Sequence, residues 1–122
     1  LSILKEEAGA QRWQAKLEQA AQEGSLCVCP VVFAEISPGC DSATDLLGVL
    51  RRLGIDYDPI SPEAAWIAGQ VFLNYRKLGG SRETLIPDFL IAAHAQTQCD
   101  RLAATDRGYL RRYFANLKLL TM

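Results

Sequence analysis

The sequence predicts an α/β fold, three layers deep (α/β/α), with a central parallel sheet between helix layers. Two observations predict it. Helical and strand-like segments alternate along most of the 122-residue chain, and strands separated by helices pair in parallel because each helix carries the chain back across the sheet. One of the strand-like runs, Leu26 to Cys29, is apolar throughout, as a strand covered on both faces must be.

Each element has its own signal. Ala10, Trp13, Leu17, Ala20 and Ala21 recur at helical spacing, and Gly24 is placed to stop that helix. The strand at Leu26–Cys29 ends at Pro30. Val31 to Ile36 is apolar apart from Glu35 and starts the next helix, which Ser37-Pro38-Gly39 ends. Leu46, Val49, Leu50 and Leu53 form the stripe of a further helix closed by Gly54. Ile55 and Tyr57 alternate with Asp56 and Asp58, the pattern of a half-exposed edge strand. Ser61-Pro62 opens a long helix, its stripe running from Ala64 through Ile67, Ala68, Val71 and Tyr75 to Leu78, with Gly79-Gly80 as the stop. Pro87 opens another helix, to about Gln98. A strand over Arg101–Ala104, a helix over about Arg107–Phe114 and a final strand over Leu117–Leu120 complete the series.

The length is that of one domain, 1–122, and with 49% hydrophobic residues such a domain can bury an ordinary core. No apolar run approaches the ~20 residues that span a bilayer, and no signal-peptide pattern is present. The chain starts at Leu1, which reads as a fragment or a trimmed start. A net charge of -1 argues against binding nucleic acid by bulk charge alone. Residues 99–122 are biased the other way, with five basic residues (Arg101, Arg107, Arg111, Arg112, Lys118) against Asp100 and Asp106. The four cysteines, Cys27, Cys29, Cys40 and Cys99, contain no C-x-x-C pair, so a zinc ribbon or thioredoxin-like motif is not expected. They read as small core hydrophobes in a reducing cytoplasm. No G-x-G-x-x-G or P-loop pattern marks a nucleotide site. The single histidine, His94, points away from Asp88 on its helix and reads as a packed or partly exposed residue, which argues against a His-dependent nuclease.

Three carboxylates fall where a parallel α/β sheet puts its chemistry. Glu35 interrupts an apolar run just after the strand at 26–29. Asp88 begins the helix that leads into the strand at 101–104, and Asp106 follows that strand. Crossover helices run antiparallel to their strands, so all three are expected on the carboxyl edge of the sheet, the ligand side of open α/β sheets. Asp88 and Asp106 also have ordinary readings, as a helix-dipole partner and an N-cap. Glu35 is expected in a largely buried segment, where an unpaired charge is costly. Clustered carboxylates repel unless a cation sits between them. Oxygen donors, with no cluster of His or Cys expected, point to Mg²⁺ or Mn²⁺ rather than zinc.

The stretch Ile86-Pro87-Asp88-Phe89-Leu90-Ile91-Ala92-Ala93-His94-Ala95 resembles the central motif of VapC-type PIN domains. Leu102-Ala103-Ala104-Thr105-Asp106-Arg107-Gly108-Tyr109 is similar to the motif after it, and Val31-Val32-Phe33-Ala34-Glu35-Ile36-Ser37 to the earlier acidic motif. Tyr75 to Gly80 and Arg111 to Phe114 also match in order. The resemblance implies a metal-dependent endoribonuclease, the toxin of a toxin–antitoxin pair, with Glu35, Asp88 and Asp106 as catalytic and metal-holding residues. Thr105 is the implied accessory hydroxyl, and Arg107, Arg111 and Arg112 would contact RNA. It further implies an antitoxin partner, a homodimer and a cytoplasmic location. Two departures accompany it. The family's first acid ends a strand just before a stretch resembling Leu1-Ser2-Ile3-Leu4-Lys5, so an N-terminal strand and one acid are expected to be missing. The hydroxyl residue often found two positions before the last acid is Ala104 here. The alternative is a catalytically impaired PIN-like module that binds RNA or a protein, its incomplete sheet open to a strand from a partner.

Overall fold

A computed structural model describes residues 2–3, 10–79, 86–103, 113–114 and 116–120. The expected parallel sheet is present. Its strands are β1 (Ser2–Ile3), β2 (Leu26–Val28), β3 (Ile55–Tyr57), β4 (Leu102–Ala103) and β5 (Leu119–Leu120), in the order β3-β2-β1-β4-β5, all parallel. The helices are α1 (Ala10–Glu23), α2 (Pro30–Ile36), α3 (Ala43–Arg52), α4 (Pro62–Lys77) and α5 (Ile86–Gln98). A 3₁₀ turn over Ser37–Gly39 ends α2. Most of the helix expected over 107–114 lies outside the described residues.

The missing N-terminal strand needs correcting. Ser2 pairs with Cys27 on one side and Leu102 on the other, and Ile3 with Ala103, so β1 occupies the middle of the sheet. Two residues are too few to show a period. With that position filled, the sheet has no central gap for a partner's strand. β3 is an edge strand, as its alternating pattern predicts.

The buried side chains form two hydrophobic clusters, and adjacent Leu102 and Ala103 enter different ones because successive strand residues point to opposite faces. Leu102 joins the larger one, with Val28, Val32, Leu46, Leu50, Phe89, Ile91 and Phe114. Its neighbour Ala103 joins Ala20 of α1 and Leu26 in the smaller one. α4 and α5 pack side by side, and α5 also lies against β1 and β4.

Local chemistry sets the helix ends. The Ser42 hydroxyl accepts the Asp45 N–H at 3.1 Å, capping α3. The Ser61 hydroxyl accepts the Ala64 N–H at 3.1 Å, capping α4, with Pro62 at the first helical position. Past the C-termini of α3 and α4 stand Gly54 (φ 75°) and Gly79 (φ 88°), in the left-handed region that only glycine enters cheaply. Ser61 also donates its own N–H to Gln98 Oε1 at 2.9 Å, tying the start of α4 to the end of α5. Ser61→Ala removes the cap and leaves that backbone bond in place, so a loss of about 1 kcal/mol is expected in urea unfolding.

Candidate active site and a buried cysteine–histidine cluster

The strand order reverses direction between β1 and β4, since the chain winds outward to β3 on one side and to β5 on the other. Ligands of open α/β sheets bind outside the carboxyl ends of the strands at such a switch point. Only Cys99, Asp100 and Arg101 separate α5 from β4, and the helix packs on that strand, so the two run antiparallel. The first turn of α5, which carries Asp88, therefore lies at the carboxyl edge beside the switch point. Asp88 is half-buried there. Glu35 is in the last turn of α2, and α2 packs against α5. The two acids thus stand on neighbouring helices. Glu35 is exposed, against expectation: of the mostly apolar α2 only Val32 is buried. Thr105, Asp106, Arg107, Arg111 and Arg112 lie outside the described residues.

A second group of side chains converges toward the far end of α5. His94 is 0% exposed, and its Nε2 lies 2.7 Å from Asp58 Oδ2. Gln98 Nε2 donates to the same carboxylate oxygen at 3.1 Å and to the Pro59 carbonyl at 2.8 Å. On the other side of the imidazole, Nδ1 faces Cys99 Sγ at 4.0 Å. The Cys99 sulfur is 3.4 Å from that of Cys27. One ligand atom from each of Cys27, Asp58, His94 and Cys99 lies within 4.8 Å of the others. An open cleft of about 360 Å³ reaches this group, lined by Cys27, Asp58, Gln98 and Cys99 among others.

Over residues 1–115 the sequence matches the PIN domain family. The chain belongs to the PIN domain family. Its fold is similar to that of two toxin–antitoxin structures. One is VapBC2 from Rickettsia felis bound to a DNA fragment from its promoter, with a TM-score of 0.68 and 19% identity over 91% of this chain and 85% of that one. The other is VapBC-1 from nontypeable Haemophilus influenzae, with a TM-score of 0.65 and 16% identity over 92% and 87%. Comparison with curated proteins gives no significant match.

In this PIN domain, Glu35 and Asp88 are hard oxygen donors on two packed helices, a donor type that suits Mg²⁺ or Mn²⁺. The cysteine–histidine group differs in kind. The Cys27 thiol is pushed up by its hydrogen bond to Cys99 and by burial. Cys99 is lowered because it accepts that bond. Cys29, fully buried two positions after Cys27, is raised by burial and makes the core thiol the sequence suggested. Cys27 and Cys99 are not merely core hydrophobes, and a His/Cys cluster exists where none was expected. His94 is packed, one of the two readings the sequence allowed, and Asp58 is the partner of its Nε2. Local spacing carries no trace of this: 72 positions separate the cysteines and 36 separate Asp58 from His94. The available signal was indirect, an acid just past an edge strand and a histidine on the apolar side of a helix.

Proposed function

We propose that this PIN domain is a VapC-like toxin, a metal-dependent endoribonuclease that hydrolyses RNA phosphodiesters and is held in check by an antitoxin. The observation that carries the reading is the position of Asp88, at the first turn of α5 beside the β1/β4 switch point and next to the helix bearing Glu35. Glu35, Asp88 and Asp106 form the catalytic set and hold Mg²⁺ or Mn²⁺. When bound, the cation makes water a nucleophile near neutral pH and stabilises charge on the phosphate.

The chain's own groups do the rest. Three carboxylates from distant segments set a negative centre that RNA phosphate cannot approach unless that charge is neutralised. Arg107, Arg111 and Arg112 bind phosphates flanking the scissile bond and fix the RNA's register. Thr105 orients the attacking water through its hydroxyl.

The partners follow from the same reading. The similar structures are VapBC complexes, which supports an antitoxin as partner. Trp66 (65% exposed) and Leu73 (47% exposed) lie seven residues apart on α4, so they share one helix face. That apolar surface supports a homodimer. RNA as substrate and free thiols fit a cytoplasmic location. No described helix is long and apolar enough to cross a membrane.

The test is incubation of the purified chain with single-stranded RNA and Mn²⁺ or Mg²⁺. Discrete cleavage products are expected, and chelation with EDTA should abolish them. RNA left intact by stoichiometric protein with either metal rejects nuclease function in favour of a binding module.

A further inference from the structure

We propose that Cys27, Cys99 and His94 bind Zn²⁺ directly, with Asp58 orienting the imidazole. In a tetrahedral zinc site with Zn–S near 2.3 Å and Zn–N near 2.0 Å, neighbouring ligand atoms lie roughly 3.5–3.8 Å apart. The two sulfurs are 3.4 Å apart and His94 Nδ1 is 4.0 Å from Cys99 Sγ, so each of these two separations is within a few tenths of an ångström of its value in a zinc site. Zinc-bound histidines usually present their second nitrogen to a carboxylate, which fixes ring orientation. Asp58 Oδ2 meets His94 Nε2 at 2.7 Å and is itself anchored by Gln98. The imidazole is thus held with Nδ1 turned toward the thiols before any metal arrives.

Thiolate sulfur and imidazole nitrogen select zinc over Mg²⁺ or Mn²⁺. Binding releases the protons of both thiols to solvent and forms two Zn–S bonds. The cleft provides the entry path and leaves the fourth position to water. This site is separate from the acidic centre: eleven helical positions between Asp88 and Cys99 amount to roughly 16 Å along the axis. It links β2 to the end of α5, with Asp58 after β3 behind the imidazole, and it stands whether or not the chain cuts RNA.

The experiment is a Co²⁺ titration of the chain kept reduced with a phosphine, followed by Zn²⁺ displacement. A thiolate-to-cobalt charge-transfer band saturating at one equivalent is expected, together with the visible bands of a tetrahedral ion. Cys27→Ser and Cys99→Ser should each weaken binding on the order of 100-fold, and Asp58→Asn by about 10- to 100-fold while keeping the one-to-one stoichiometry. Cys40→Ser should bind as the parent does. A second readout needs no variant: one equivalent of Zn²⁺ should protect Cys27 and Cys99, and not Cys40, from alkylation mapped by peptide mass. A reduced, folded chain with no charge-transfer band overturns the proposal, as does equal alkylation of Cys27 and Cys99 with and without zinc.

Discussion

Phe89→Ala is expected to lower stability by about 3–5 kcal/mol, as truncation of a buried aromatic ring does. The ring is 0% exposed and stands at the meeting point of three segments. Phe72 and Tyr75 of α4 lie 6.3 and 5.5 Å from it, and Tyr113 and Phe114 lie 5.8 and 5.9 Å away, centroid to centroid. The geometries are edge-on or tilted, the favourable ones for aromatic quadrupoles. Truncation therefore leaves a void walled by four rings from elements that cannot all collapse inward. Phe89→Leu keeps most of the volume and should cost under about 1.5 kcal/mol. Urea unfolding checks both: the midpoint should fall steeply for alanine and slightly for leucine, at constant slope. Equal small losses would mean that the cluster closes over the gap.

The features legible in the sequence are those that local chemistry writes locally. α3 and α4 follow from apolar stripes bounded by a serine cap and a left-handed glycine, and β3 from its two-residue alternation. α5 was legible from Pro87 and from the motif around Asp88. β1 was not, because a two-residue strand between two buried neighbours has no period to read, and only its pairing with β2 and β4 defines it. The burial of Glu35 was misjudged for a related reason. An apolar run of six or seven residues looks buried throughout, yet a short helix on the rim of a sheet turns only part of its surface inward. The Cys27–Asp58–His94–Cys99 group is the extreme case, since each residue has an ordinary local role and the group exists only after β2, β3 and α5 have packed. The place of Asp88 at the first turn of α5 could be foreseen, because a parallel α/β topology fixes the edge at which that helix begins. Contacts toward the other end of α5 depend on how one loop turns.

Adjacent positions on α5 should separate stability from activity. Asp88→Asn is nearly isosteric and keeps the helix, and the helix-dipole interaction it gives up is worth about 0.3–1 kcal/mol. If Asp88 holds the cation, the same change should reduce metal-dependent RNA cleavage on the order of 100-fold or more, because several kcal/mol of charge stabilisation disappear and each 1.4 kcal/mol is tenfold in rate. Glu35→Gln should act in the same direction with even less effect on folding, since its side chain is exposed. The comparison is initial cleavage rate in Mn²⁺ against urea midpoint for parent, Asp88→Asn and Glu35→Gln. A neutral amide at either position removes a charge without opening a void, so a lost rate with a retained midpoint belongs to the site and not to the fold. Unchanged rates in both variants would move the catalytic centre away from the α2–α5 edge.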